Sequence, residues 1–288
     1  MFKTRIWFWI SLIVAVFLLI LEAIASWFFT VLIVFFIFPP LFLLALVIHP
    51  ILVLSIVAIF LVITDFAGSL KVEKIEWLND MDAYNGLLHR SLHLAEKIGV
   101  YVEKVGIAPY DRINAFSYGI FRPKIVIFKK LLEEFNPEEV DFVIAHEMAH
   151  IKHRWIWIIH NFANAVTFLP FTTPPPIVFI LYTILIPARL AFLWFLRECE
   201  FLADREALAV TGNIIAAIGA LAKLGRIGKI YDIKELKKLV SDRDIVDRVF
   251  NDIAEMLSSH PLIKRRIREI LETYQTVTSF KSRTYCLV

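Results

Sequence analysis

The chain has 288 residues, of which 58% are hydrophobic and 20% charged, with 25 Phe and a mean hydropathy of +0.67. Soluble domains are about 45–50% apolar and about 25% charged, so a simple water-soluble globule is excluded. Disordered, collagen-like and disulfide-scaffold chains are excluded too, by 9 Gly, 12 Pro and 2 Cys. A net charge of +3 gives no argument for nucleic acid, and Cys199 and Cys286 suit a reducing compartment.

Ile6 to Thr64 form a nearly unbroken apolar stretch, interrupted by Glu22, Pro39-Pro40 and His49-Pro50. A spanning helix needs about 20 apolar residues. Lys3 and Arg5 precede the stretch and Lys71 and Lys74 follow it. Both ends are therefore expected in the cytoplasm, with two crossings that turn at Pro39-Pro40. The run is too long for a signal peptide, whose apolar core is about 7–15 residues. Residues 1–66 are thus read as a retained pair of transmembrane helices, and 67–288 as a second domain.

Residues 83–98 have helical periodicity, with Gly99 placed as a C-cap. Three β-like runs follow, at Val100–Val105, Ile113–Ser117 and Lys124–Phe128. Asn136-Pro137-Glu138-Glu139 is a helix start, with an N-cap Asn, a first-turn proline and first-turn acids, and the helix runs through 140–153. Residues 155–196 form a second apolar block, broken between Pro170 and Pro176, and are expected to make a membrane-embedded helical hairpin. His160, Asn161, Asn164 and Thr167 form a polar stripe within it, and Arg189 lies in its return arm. A substrate-access groove and helix packing are the two readings, with packing favoured. The remainder is charged and helical in pattern.

The sharpest chemical signal is His146-Glu147-Met148-Ala149-His150. Histidines at i and i+4 project from one helix face about 6 Å apart along the axis, so that both imidazoles can bind one Zn²⁺. Glu147 then lies beside the open coordination position as a general base. A third ligand is needed. His153 lies one turn too far along a straight helix, and the bend that a glycine at 153 would allow is absent. His153 is therefore read as solvated or interfacial. In Arg197-Glu198-Cys199-Glu200-Phe201-Leu202-Ala203-Asp204, helical geometry puts Arg197, Glu200 and Asp204 on one face. Glu200 could supply the third ligand, with Asp204 orienting a zinc histidine. Glu198 is the rival ligand but points off that face, and the plain alternative is a surface helix with routine ion pairs.

Together with Asn114-Ala115-Phe116-Ser117-Tyr118-Gly119 and the later His260-Pro261-Leu262-Ile263-Lys264-Arg265-Arg266-Ile267, these motifs resemble the HtpX-type membrane metalloproteases, relatives of the CAAX prenyl endopeptidases. The resemblance covers about residues 84–270 with its motifs in order. It implies a mainly α-helical membrane protein with an α+β zincin-like catalytic domain, a small β-sheet with an edge strand, and one Zn²⁺ per chain. His146, His150 and Glu200 would be the ligands and Glu147 the base. Asn114, Ala115 and Phe116 would lie on an edge strand that pairs with extended substrate. His260 and Arg266 would sit near the cleft, stabilising the oxyanion or holding Asp204, with Arg197 also behind the ligands. Trp155 stands where the family often has an aspartate.

Glu200 can meet the two histidines only if the 155–196 segment returns to the side it left. Trp155 and Trp194 bracket the segment, as suits a membrane interface. The expected protein is an integral, multi-pass protein of the cell membrane with its active site on the cytoplasmic face. Its expected substrates are membrane proteins or unfolded polypeptides, as in protein quality control under stress, with the lipid bilayer as its other partner and no nucleic acid. A prenyl-protein processing protease, a non-catalytic zinc-binding scaffold and a transporter are the rivals. Intact Glu147 argues against the scaffold, and the lack of paired mid-membrane charges argues against the transporter. The oligomeric state is not legible.

Overall fold

The structure is a computed structural model that describes residues 6–70, 74–79, 84, 86–159, 175–225 and 262–285. Helix α1 (Ile6–Ile37) and helix α2 (Phe42–Leu70) are joined by a 3₁₀ turn at Pro39–Leu41, where the expected prolines turn the chain. Among the described residues α1 is the one helix long and apolar enough to cross a membrane. Pro39–Leu52 is a shorter apolar helical piece. α2 carries Pro50 inside it and runs to Leu70, past the expected domain boundary at 66.

The chain after α2 is built around a four-stranded sheet and the helices on one of its faces. Its strands are β1 (Glu76–Trp77), β2 (Lys104–Ala108), β3 (Ala115–Tyr118) and β4 (Lys124–Phe128), in spatial order β1-β2-β4-β3. β2 and β4 are parallel, and the two outer pairs are antiparallel. β4 falls on its expected residues, whereas β2 begins at Lys104, four residues later than expected. The cause is Gly99, which ends helix α3 (Leu87–Ile98) in the left-handed conformation at φ 77° and leaves an extended approach before pairing starts. Val105, Ile107, Ile125 and Ile127 share one core with Leu94 and Ile98 of α3.

After the short helix α4 (Lys129–Glu134), helix α5 (Pro137–Lys152) completes that core with Ile144 and Met148. α5 starts as expected. Asn136 and Glu139 form a reciprocal capping box, with the Asn136 N–H donating to Glu139 Oε2 at 2.7 Å. Residues 155–159 are helical, and helix α6 then runs unbroken from Pro175 to Thr211. The return arm of the expected hairpin and the acidic segment are thus one helix, with Pro187 inside it. The stripe at His160, Asn161, Asn164 and Thr167 lies outside the described residues, while Arg189 is exposed. α1 packs along α6, where Phe8, Ala15 and Leu19 join Ala191, Phe192 and Phe195. Helices α7 (Ile214–Leu224) and α8 (Ile263–Tyr285) close the body.

Candidate active site

β3, α5, α6 and α8 converge on one cleft of about 540 Å³, which Ile156 and Trp157 after α5 and Leu224 also line. Two turns of α5 present His146 and His150 from one face, and their Nε2 atoms approach to 3.1 Å. Glu200 reaches them from α6, with Oε2 3.6 Å from His146 Nε2 and Oε1 3.5 Å from His150 Nε2. The three ligand atoms lie within 4.8 Å of one another. Zn–N and Zn–O bonds of about 2.0–2.1 Å in a tetrahedron put ligand atoms about 3.3 Å apart. The histidine–histidine distance and the distance from each histidine to its nearer Glu200 oxygen are of that size, so two imidazoles and a carboxylate could hold a zinc ion here. His146 and Glu200 are buried and His150 is partly open to the cleft, which leaves one side of the triangle accessible.

Behind the triangle stands Asp204, one turn after Glu200 and 1% exposed. His146 Nδ1 lies 3.0 Å from Asp204 Oδ1, so the ring donates its Nδ1–H there and turns the Nε2 lone pair to the cleft. Arg266 of α8 holds Asp204 with two hydrogen bonds, Nε to Oδ2 at 2.7 Å and Nη2 to Oδ1 at 2.6 Å. Its Nη1 also lies 3.3 Å from Glu200 Oε2. Arg197 is buried a turn nearer the apolar half of α6 and does not line the cleft. Arg266 meets both carboxylates.

The two histidines are shifted in opposite directions. Burial works against charge on both imidazoles. At His146 the hydrogen bonds to Asp204 and Glu200 outweigh it and raise the pKa to about 9. His150 is pushed below its ordinary value by burial and by its neighbour His146. For Asp204, burial would raise the pKa, but the Arg266 guanidinium and its hydrogen bonds hold it below the usual carboxylate range.

Glu147 faces the same cleft, and its Oε2 accepts a 3.0 Å hydrogen bond from Ser117 Oγ on β3. β3 is the outermost strand, as an edge-strand role requires. Asn114 precedes it and extends the ladder, its carbonyl accepting from the Phe128 N–H at 3.0 Å. Asn114, Ala115 and Phe116 all line the cleft, though Phe116 packs its ring on the far face of the sheet with Val126 and Phe128. His260 lies outside the described residues. His153 is neither a ligand nor simply solvated. It ends α5 and pairs with Glu206 at 2.9 Å. Ser117 and Arg154, which donates to the Ile120 carbonyl at 3.1 Å, were not singled out from sequence. The period-2 pattern from Ala115 was the one available signal for Ser117.

Comparison with known proteins agrees with this geometry. The model of peptidase family M48 matches residues 85–274. A Pseudomonas putida protein named Protease HtpX is 30% identical over 206 residues, covering 58% of this chain and 69% of its own. A Methanocaldococcus jannaschii Protease HtpX homolog is 27% identical over 212 residues, covering 64% and 74%. A crystal structure of S. mikatae Ste24p shares the fold at 21% identity, with a TM-score of 0.51 over 92% of this chain. This chain spans 66% of the length of that one, just under two thirds. Because the family match includes the histidine helix as well as the segments that bring Glu200 and Arg266 to it, the chain belongs to peptidase family M48 and is a metalloprotease.

Proposed function

We propose that the protein is a zinc-dependent membrane endopeptidase that cuts membrane-protein or unfolded polypeptide substrates at the cytoplasmic surface of the bilayer, in the service of protein quality control. The observation that carries the zinc reading is the group of His146 Nε2 and His150 Nε2, 3.1 Å apart, with Glu200 reaching the first through Oε2 at 3.6 Å and the second through Oε1 at 3.5 Å, and with an open side facing the cleft. In this reading those three residues hold one Zn²⁺ per chain, and Asp204, itself clamped by Arg266, fixes the His146 tautomer. When bound there, zinc supplies Lewis acidity to the scissile carbonyl and makes water more acidic. Glu147 accepts the proton of the attacking water and returns it to the leaving amine nitrogen. β3 offers its open edge to the extended substrate chain.

The membrane setting is supported by the same helices that assemble the site. The rings of Trp7 of α1 and Trp194 of α6 lie 6.2 Å apart and tilted, and Phe8 meets Trp155 edge-on at 6.2 Å. Three separate stretches thus bring tryptophan to one level, as at a membrane–water interface. Trp155 and Trp194 lie five and six residues from His150 and Glu200. At about 1.5 Å per helical residue the ligands fall within roughly 10 Å of that level. Residues 1–66 would be the anchor and 67–288 the protease domain, with 155–196 dipping into the bilayer.

The test is cleavage of a membrane-anchored model substrate by wild type and by Glu147→Gln. The variant is expected to keep its metal and lose cleavage. Full cleavage by the variant would refute the mechanism, and equal rates on a freely soluble substrate would refute the membrane setting.

A further inference from the structure

We infer that Ser117 is a positioning residue that ties the general base to the strand on which the substrate is laid. The inference rests on the proposed role of Glu147 and adds a residue to it. The starting point is the ladder between β3 and β4. It pairs Ala115 with Ile127, Phe116 with Val126, Ser117 with Ile125 and Tyr118 with Lys124. Bonded and non-bonded pairs alternate along an antiparallel ladder. The Phe128 N–H donates to the Asn114 carbonyl, so that pair is of the bonded kind. Phe116 and Tyr118 then spend their backbone groups on β4. Ala115 and Ser117 turn their N–H and C=O to the outer edge, where no strand pairs with β3 among the described residues.

Ser117 is therefore bifunctional. Its backbone faces the position that an extended substrate would occupy, while its side chain leaves the sheet on the helix side. There Oγ donates to Glu147 Oε2 at 3.0 Å. The hydroxyl occupies one carboxylate oxygen and leaves Oε1 for water and for the amine nitrogen. Glu147 has rotatable bonds that a base must not sample freely, and this bond holds it in register with the strand that holds the scissile peptide. A charge-assisted hydrogen bond of this kind is strong enough to select one rotamer. The neighbours at 115 and 116 offer no such donor, since Ala115 has none and Phe116 points to the other face.

The experiment compares Ser117→Ala and Ser117→Thr with wild type on one peptide substrate, reading kcat and KM separately. Losing a hydrogen bond to a charged group corresponds to about tenfold or more. The inference predicts that Ser117→Ala lowers kcat by about that factor with KM unchanged, and that Ser117→Thr, which keeps the hydroxyl, restores most of it. As a readout independent of turnover, uncleaved peptide should bind the Glu147→Gln protein equally well with Ser or Ala at 117. Unchanged kcat in Ser117→Ala, an equal loss in Ser117→Thr, or a loss carried by KM or by peptide binding would each overturn the inference. Failure of the underlying reading looks different, because Glu147→Gln itself would then retain activity whatever stands at 117.

Discussion

Replacing Arg266 with methionine isolates what the clamp behind the ligands contributes. The side chain keeps its approximate bulk but loses the two hydrogen bonds of 2.7 and 2.6 Å to Asp204 and the 3.3 Å approach to Glu200. Asp204 is 1% exposed, so water cannot replace the guanidinium. Removing one partner of a buried pair costs about 3–5 kcal/mol, because the remaining charge is left uncompensated. At about 2–4 °C per kcal/mol for a domain of this size, the unfolding midpoint should fall by roughly 6–20 °C. His146 also loses a firmly held acceptor, which weakens metal affinity by about 10–100-fold. Arg266 holds the folded-state pKa of Asp204 down against burial, so the stabilisation is full above the unfolded value and disappears as pH falls through the folded one. Wild type and variant should therefore converge in strong acid. Adding Asp204→Asn removes the stranded charge, and the double variant should be more stable than Arg266→Met alone. The assay is thermal unfolding of the three variants in detergent, with and without zinc. A cost below about 1 kcal/mol for Arg266→Met, or a double variant in which the two costs simply add, would refute the reasoning.

Further predictions concern the frame around the site. Asn136→Ala removes half of the capping box of α5 and should cost about 1 kcal/mol in thermal unfolding without changing metal stoichiometry. Burial would raise the Glu206 pKa, but His153 at 2.9 Å and Lys152 at 3.3 Å outweigh it and hold it low. Its contribution is present above the unfolded carboxylate value and lost on acidification. Glu206→Gln should accordingly be less stable than wild type at pH 7, with the gap closing toward pH 3 in a pH series of unfolding midpoints. Gly119 has φ 89°, and a Cβ there would collide with the Arg122 backbone. Gly119→Ala should therefore strain the β3–β4 hairpin and raise KM for peptide substrates.

Much of the site was legible because its chemistry is local in the chain. The i, i+4 histidines, the capped start at Asn136 and the Glu200–Asp204 spacing each follow from helical geometry over a few residues. The sheet was only partly legible, since pairing partners determine where β2 begins, and β1 is a two-residue strand held by Glu76 and Trp77 against Ile107 and Gly106. α6 was read as two elements because the shift from apolar to charged composition at Arg197 suggests a boundary. The helix in fact runs through both Pro187 and that shift, from Pro175 to Thr211. The partner of Asp204 lies 62 residues away, and only the family resemblance, not a local pattern, singled out Arg266 among the basic residues of its helix. Ser117 was hidden for a related reason. Its role depends on which face of β3 meets α5, and that is a property of the ladder, not of the strand.

The central claim is that His146, His150 and Glu200 together hold one zinc ion. Metal content of the purified protein, measured for wild type, Glu200→Ala and the neighbouring Glu198→Ala, tests it directly. The account predicts one zinc per chain in wild type and in Glu198→Ala, and loss of the ion in Glu200→Ala. Zinc retained at full occupancy in Glu200→Ala and lost in Glu198→Ala would contradict it.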